Sequence, residues 1–159
     1  KIYNNAISNS KKKKKIYINN HDLTSSLKKL NHHNLYLKFK SKLFGGNIER
    51  MISNSYTVQA TKLIDLIKKE KIKKIDLLKV DTEGHELEVL SGLGKKIKII
   101  QIILIEFHND NIYLNYNSNK IHNHLLKHNF SLQKKIKFPF TEWEDRIYTN
   151  KKLINENLH

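Results

Sequence analysis

The densest apolar patterning in the chain lies between Ile75 and Gly94 and predicts a strand that turns into a helix. A short apolar run typical of buried parallel strands comes first: Ile75, Leu77, Leu78 and Val80. Leucines at helical spacing follow: Leu87, Leu90 and Leu93. We expect Thr82 to cap the helix, and we expect Glu83 and Glu86 to place negative charge at its positive end. Asp81 would then lie at the carboxyl end of the strand, where open α/β sheets bind ligands.

Other segments have the β-branched or alternating pattern of strands. They are residues 2–7, 15–19, 35–40, 56–60, 97–105, 130–136 and 146–149. The strand at 97–105 is expected to be the second central parallel strand, with its core at 99–105. Residues 35–40 alternate apolar and polar and predict a half-exposed strand. Residues 146–149 are few enough for an edge or closing strand.

Helices are predicted at about 61–70, 83–92 and 118–128, so strands and helices alternate as in α/β proteins. Thr61 is expected to cap the first helix. On the last helix, Ile121, Leu125 and Leu126 are expected to face inward. The final residues predict a frayed tail, which gives one domain over 1–150 and a tail over 151–159.

The chain's 159 residues suffice for one domain with a hydrophobic core. The sequence has no Cys, which excludes disulfides and thiolate zinc sites. The longest apolar run, near residues 99–105, is far shorter than the roughly 20 residues that span a bilayer. No signal peptide is visible, and we expect a cytoplasmic protein.

The formal net charge of +15 raises the alternative of a basic module that binds nucleic acid or anionic surfaces through residues 1–44. That segment holds 11 Lys and one Asp, whereas residues 75–110 hold four Lys and seven acidic residues. Arg, the better reader of phosphates and bases, provides only two of the 30 basic residues. We therefore expect no nucleic-acid partner, and a salt-dependent binding assay discriminates between the two functions.

Four polar residues are candidates for chemistry because they follow the two central strands: Asp81, Glu83, Glu106 and His108. Strands one helix apart in a βαβ unit are neighbours or near neighbours, so these side chains would meet at one sheet edge. Such a cluster can hold a divalent cation or a general base. Alternatively, Asp81 and Glu83 only cap the helix, while Glu106 and His108 lie in a loop. The spacing leaves both interpretations open.

Three other polar or aromatic groups favour ordinary structure. His21, Asp22 and the nearby serines lack a nucleophile elbow and indicate a plain loop. His124 and His128 are spaced to share a metal, but an exposed helix face explains them as well. The aromatic turn at 138–143 can line a pocket or pack over the sheet edge.

The block from Asp76 to Gly92 resembles the FkbM family of S-adenosylmethionine-dependent methyltransferases, which carries a DLLKIDVEGxExxVLxG pattern. Further blocks agree in the family's order: residues 1–8, 25–27, 57–66, 105–108 and 138–148. The resemblance implies a Rossmann-like class I methyltransferase sheet, mostly parallel, with an antiparallel strand near the end. The sheet would be incomplete at the amino terminus.

The resemblance also implies a function: methyl transfer from S-adenosylmethionine to a hydroxyl of a sugar or other small metabolite. Asp81 is implied at the methyl-transfer site, where it would orient or deprotonate the acceptor, alone or through a metal. Glu83, Glu106 and His108 support it. Asn5 and Ala6 are expected near the adenine, with Asp81 as a further cofactor contact. The metal and the oligomeric state are left open.

The family's glycine-containing first strand and the acidic residue for the ribose have no counterpart here. Gly45 is the first glycine, well after the expected place. We therefore expect a carboxyl-terminal part of a longer methyltransferase, inactive by itself. We also expect the isolated chain to be poorly soluble or to associate through an open strand edge.

Overall fold

A four-stranded mixed sheet organises the residues described by the computed structural model, 1–19, 25–43, 46, 52–109, 111–139 and 141–156. The strands are β1 (Ala6–Ile7), β2 (Lys14–Asn19), β3 (Ile52–Val58), β4 (Ala60–Thr61), β5 (Ile75–Val80), β6 (Ile100–His108), β7 (Phe130–Lys137) and β8 (Trp143–Asn150). The helices are α1 (Leu35–Leu43), α2 (Leu63–Lys69), α3 (Glu86–Ser91), a 3-10 helix (Gly94–Ile99), α4 (Ser118–Lys127) and α5 (Lys151–Glu156).

The two central strands are neighbours, as their apolar patterns predict. β5 and β6 pair in parallel, with Ile75 opposite Ile100 and Val80 opposite Ile105. The connection between them contains α3 and the 3-10 helix. The predicted start of the second strand was wrong, because residues 97–99 belong to the 3-10 helix. The parallel pairing brings the carboxyl ends of both strands to the same edge of the sheet.

β8 lies between β6 and β7 and pairs antiparallel to both, which confirms an antiparallel strand near the end. Its predicted place at an edge or closing position was wrong. The expectation of a mostly parallel sheet was also wrong for the described strands, because two of the three pairings in this sheet are antiparallel. β8 is also longer than predicted and starts at Trp143. Alternate side chains of β8 are buried: Glu144, Arg146, Tyr148 and Asn150. Because three of these four buried residues are polar, the hydrophobic pattern indicated only part of the strand. The polar residues tolerate burial because Arg146 pairs with Glu144 at 2.6 Å and Asn150 donates to the Ile100 carbonyl at 3.1 Å.

Two small sheets accompany the central one. β1 pairs in parallel with β4, and β2 pairs antiparallel with β3. The strand predicted at 2–7 is therefore limited to two residues, and the one predicted at 56–60 is two strands separated at Gln59. Thr61 ends β4 and does not cap a helix. Lys62 occupies the cap position of α2, and its side chain makes no capping hydrogen bond.

The core lies where the helices cover the central sheet. Its largest fully buried side chains come from the sheet and from α2, α3 and α4: Tyr148, Phe107, Phe130, Ile67, Leu90, Ile103, Ile105, Ile121 and Leu125. The inward positions of Ile121 and Leu125 are confirmed, but Leu126 is 46% exposed. The reason is geometric, since residues four apart share a helix face and the next residue is turned about 100° away.

The half-exposed strand predicted at 35–40 is wrong, because these residues form α1. Asn34 starts the helix: its side-chain oxygen accepts from the Leu37 amide at 2.9 Å. Leu37 and Ser41, four residues apart, are buried, while Leu35 and Phe39 are exposed. The apolar and polar alternation therefore did not report a strand face.

The predicted frayed tail is helical over Lys151–Glu156, and the Asn150 side-chain oxygen accepts from the Lys152 amide at 3.2 Å. Three residues discussed from the sequence lie outside the described ranges: His21, Asp22 and Gly45. Within the described ranges, every helix is too short or too polar to cross a membrane.

Candidate functional site

The turn after β5 is built around the buried carboxylate of Glu86. Its Oε1 accepts hydrogen bonds from the Thr82 amide at 3.1 Å, the Thr82 hydroxyl at 3.1 Å and the Gly84 amide at 3.0 Å. Burial raises the pKa of Glu86, although these hydrogen bonds oppose the shift. The helix therefore starts at Glu86 with His85 at its cap position, and the predicted start at 83 and cap by Thr82 were wrong.

Two residues of this turn have left-handed backbone geometry, Glu83 with φ 53° and Gly84 with φ 92°. The ring of Tyr113 covers Gly84 so closely that an added Cβ would lie 2.6 Å from the Tyr113 Cγ. Glycine is therefore required at 84 for both space and conformation. The Tyr113 hydroxyl donates a hydrogen bond to Glu83 Oε2. The turn thus holds the Glu83 carboxylate in a fixed place.

The end of β6 supplies Glu106 and His108, two residues apart and therefore on one face of the strand. His108 Nε2 lies 3.6 Å from Glu83 Oε2 and 4.0 Å from Glu106 Oε2. Candidate ligand atoms of all three residues lie within 4.8 Å of one another. The structure therefore brings these predicted residues together, and it places Glu106 and His108 on a strand and not in a loop. Their catalytic roles stay predictions.

Asp81 joins this cluster from the end of β5. Its carboxylate pairs with Lys79 at 2.9 Å and is 39% exposed. Burial works to raise the pKa of Asp81, but hydrogen bonds with Lys79 and Glu106 outweigh it and lower the pKa. Burial and the neighbouring Asp81 raise the pKa of Glu106 to about 8. Asp81 and Glu106 thus share a hydrogen bond, and Asp81 is the more acidic of the two.

His108 is a neutral, deeply buried imidazole, only 4% exposed. Burial lowers its pKa to about 4. Tyr113 and Tyr116 pack edge-on against the ring, with centroids 5.0 and 5.6 Å away. Neither ring nitrogen has a hydrogen-bond partner in the described part of the chain. A neutral imidazole with a free lone pair is both a potential base and a potential metal ligand.

A cavity of about 330 Å³ opens beside the carboxyl end of β5. Its lining is mostly apolar and consists of Ile7, Leu63, Leu78, Val80 and Val89. Three polar residues also line it: Lys79, Asp81 and Thr82. Asp81 thus faces a space large enough for part of a small molecule. Asn5 and Ala6 do not line this cavity, and their predicted contact with the adenine stays a prediction.

A second buried polar group anchors the turn from behind. His85 Nε2 lies 3.0 Å from the Ser8 hydroxyl, and His85 Nδ1 lies 3.6 Å from Glu88 Oε2. Lys28 completes the group by pairing with Glu88. Ser8 is fully buried, so this serine, histidine and glutamate set fixes β1 to the turn and is closed to a substrate. Burial lowers the pKa of His85 to about 4.

Sequence reasoning gave no site role to three residues that shape the site, Ser8, Tyr113 and Tyr116, and it placed Glu86 at the helix start without its role in the turn. The Tyr116 hydroxyl accepts from the His108 amide at 3.0 Å, which ties the segment after β6 back to the strand end. The hydrophobic pattern of the sequence does not indicate these contacts, because they depend on how the loops pack against the sheet. Only Glu86 carried a signal, since a carboxylate shortly after a threonine can satisfy amides at a helix start.

Comparison with known proteins decides the family. The methyltransferase FkbM domain family matches residues 1–132. The chain belongs to this family. It is also similar to the hexuronic acid methyltransferase AglP of Haloferax volcanii, at 33% identity over 54 residues. That match covers 34% of this chain and 23% of AglP. No solved structure matches the chain.

Methyltransferases generally take the methyl group from S-adenosylmethionine, and the described part of this FkbM domain provides only some of the features that would bind it. The cavity beside β5 offers an apolar wall and the Asp81 carboxylate. A phosphate-free nucleoside with a charged amino-acid tail also needs close backbone approach and several polar partners. Gly84 and Gly92 are instead packed against Tyr113 and the Ser8 carbonyl. The described residues therefore do not complete a site for this cofactor.

Proposed function

We propose that the protein uses S-adenosylmethionine to methylate a hydroxyl group of a sugar or a similar small metabolite. The observation that carries the proposal is the cluster of Asp81, Glu83, Glu106 and His108 at adjacent strand ends of an FkbM methyltransferase domain. The mixed sheet is interpreted as part of a Rossmann-like methyltransferase fold. Ligands of such folds bind at the carboxyl ends of the strands, where this cluster lies.

The net reaction forms an O–CH₃ bond and breaks the methyl–sulfur bond of the donor, with the electron pair going to sulfur and the hydroxyl proton going to a base. In the proposed mechanism, Asp81 accepts the hydrogen bond of the acceptor hydroxyl and takes its proton as negative charge develops on the oxygen. It suits this role because it is ionised and borders the cavity. Lys79 and Glu106 fix the orientation of its carboxylate.

Charge at the site favours a hydroxyl over a carboxylate acceptor. Three acidic side chains converge there, and Lys79 is the cation paired with Asp81. The ionised groups of the site would repel an acceptor group that is itself a carboxylate, whereas they would not repel a neutral hydroxyl. A hexuronic acid, the substrate type named for AglP, offers both groups. We therefore propose a sugar hydroxyl as acceptor, and hexuronic acids are candidates through a ring hydroxyl that lies away from their own carboxylate.

A labelled-methyl assay tests the proposal with the complete product of the gene that encodes these residues. The protein is incubated with S-adenosyl-[methyl-¹⁴C]methionine and a panel of hexuronic acids, neutral hexoses and hexosamines. We expect label in a sugar product that survives mild alkali, as a methyl ether does. An alkali-labile methyl ester would contradict the hydroxyl acceptor, and no transfer to any sugar of the panel would contradict the proposed substrate class.

A further inference from the structure

We infer that Glu83, Glu106 and His108 form a binding site for a divalent cation such as Mn²⁺. The site lies within the proposed catalytic cluster, so its role in catalysis rests on the proposed function, whereas the binding itself does not. The three residues come from two elements, the turn after β5 and the end of β6. Two carboxylates and an imidazole are a donor set that first-row divalent cations accept.

The distances suit one shared ion. His108 Nε2 lies 3.6 Å from Glu83 Oε2 and 4.0 Å from Glu106 Oε2. Two ligand atoms at about 2.1 Å from one ion are about 3.0 Å apart when they subtend a right angle. The pairs observed are longer than a hydrogen bond, so they are not explained by direct bonding between the side chains. To reach that spacing, the two histidine–carboxylate pairs would shorten by about 0.6 and 1.0 Å.

His108 provides an independent reason to expect a ligand. Its side chain is 4% exposed, and neither ring nitrogen has a hydrogen-bond partner in the described ranges. Buried polar atoms without partners are costly, typically about 1–3 kcal/mol each, and need an explanation. Its Nε2 faces the two carboxylates. A cation at this point would satisfy Nε2.

The supports around the ligands resemble those of metal sites. Ligating carboxylates are usually hydrogen-bonded by a second residue that fixes their direction. The Tyr113 hydroxyl donates to Glu83 Oε2, and the Tyr113 and Tyr116 rings wall the imidazole. Asp81 and Asp145 add negative charge near Glu106. The local excess of negative charge favours a cation over a neutral ligand.

Three protein ligands leave coordination positions open on an octahedral ion. The acceptor hydroxyl can occupy one of them, next to Asp81. A bound cation lowers the pKa of a coordinated hydroxyl, which makes proton transfer to a carboxylate easier. Mn²⁺ fits better than Ca²⁺, which takes six to eight oxygen ligands and has little use for an imidazole.

The rival site is the histidine pair at the end of α4, where His128 is the C-terminal cap residue. The His124 and His128 rings lie 4.7 Å apart on one helix face. A partly buried histidine pair of this spacing can bind transition metals by itself. It supplies the matched control, because His128→Gln removes the pair without touching the cluster.

Electron paramagnetic resonance of Mn²⁺ titrated into the complete gene product tests the site, since the signal of free Mn²⁺ falls as the ion binds. We expect one site in the wild type, at least tenfold weaker binding in His108→Gln and in Glu106→Gln, and less than a twofold change in His128→Gln. Binding that is unchanged in Glu106→Gln, or lost in His128→Gln, would overturn the inference. Glu106→Gln decides the matter if His108→Gln fails to fold.

Methyl transfer measured on the same samples, with and without a chelator, separates the two proposals. Transfer without Mn²⁺ binding would overturn the cation site and leave the proposed function standing. Binding at the cluster without transfer to any sugar would support the site and contradict the proposed function. Transfer that needs the bound ion supports both.

Discussion

The Tyr113 hydroxyl donates a hydrogen bond to the carboxylate of Glu83, which joins the segment after β6 to the turn after β5. The same tyrosine ring covers Gly84 and contacts the His108 ring. One aromatic side chain therefore sets the position of the acidic turn relative to the imidazole. The geometry of the candidate site depends on this contact between two loops.

Replacing Tyr113 by Phe removes the hydroxyl and keeps the ring. We expect a loss of about 1–3 kcal/mol in the free energy of unfolding, because a part-buried carboxylate loses a charge-assisted hydrogen bond. Tyr36→Phe is the control, since Tyr36 is 46% exposed and should change stability by less than about 0.5 kcal/mol. Denaturant unfolding measures both. Equal effects in the two variants would contradict a structural role for the Tyr113 hydroxyl.

Replacing Gly84 by Ala should destabilise the protein more than the same change at Gly94. Both glycines have positive φ, so both variants bear a backbone strain of about 1–2 kcal/mol. At Gly84 the new methyl also collides with the Tyr113 ring, whereas at Gly94 its nearest contact is Ile64 Cδ1 at an ordinary 3.5 Å. Overpacking should add about 1–3 kcal/mol at Gly84. Thermal unfolding of the pair tests this, and similar melting temperatures would show that Tyr113 moves aside freely.

Stability should fall as pH decreases from about 6.5 to 4 through the buried His85. Burial dominates the lowering of its pKa to about 4, Glu88 opposes the shift, and Lys14 and Lys28 add to it. The unfolded chain binds this proton near pH 6.5, so between the two pKa values the unfolded state holds more protons and unfolding becomes easier as pH drops. The full effect is about 3 kcal/mol.

The difference between wild type and His85→Gln isolates this effect. Glu106 and His108 also titrate with shifted pKa values, but they are present in both proteins. The free energy of unfolding of the variant should depend less steeply on pH between 4 and 6.5, by up to one proton. Parallel curves for the two proteins over that window would contradict the assignment.

The edge of β5 should make the 159-residue chain associate when it is studied alone. β5 pairs with β6 on one side, and no other described strand pairs with it. Leu77 on this strand is 56% exposed. Leu77→Lys should reduce association, because charged residues on an edge oppose strand pairing. Sedimentation velocity measures this against the control Ile2→Lys, and a monomeric wild type would contradict the prediction.

The sequence predicted the parts of the fold that depend on continuous apolar runs. The pairing of 75–80 with the second central strand followed from such runs and from the helix between them. Elements with polar buried faces were missed or shortened, as in β8, where Glu144 and Arg146 neutralise each other inside the sheet. The helix at 35–43 was not predicted because its apolar and polar residues alternate as they do in a strand. The signal for a helix was the capping residue Asn34, just before the segment.

The sequence was sufficient to predict which residues form the candidate site, but not how they are arranged. Asp81, Glu83, Glu106 and His108 could be grouped because parallel strands end at one edge. Their mutual distances depend on Glu86 and Tyr113, which act through the turn and the loop after β6. Such contacts join residues far apart in sequence and leave no periodic signal.

The central claim, that Asp81 serves methyl transfer, is tested most directly by comparing Asp81→Asn with Asp76→Asn in the labelled-methyl assay. Both residues lie in or next to β5 and pair with a lysine two residues away, but Asp76 is 78% exposed and away from the cluster. We predict that Asp81→Asn keeps the fold and loses about 100-fold or more in turnover, while Asp76→Asn stays within about twofold of wild type. Wild-type turnover in a folded Asp81→Asn protein would contradict the claim.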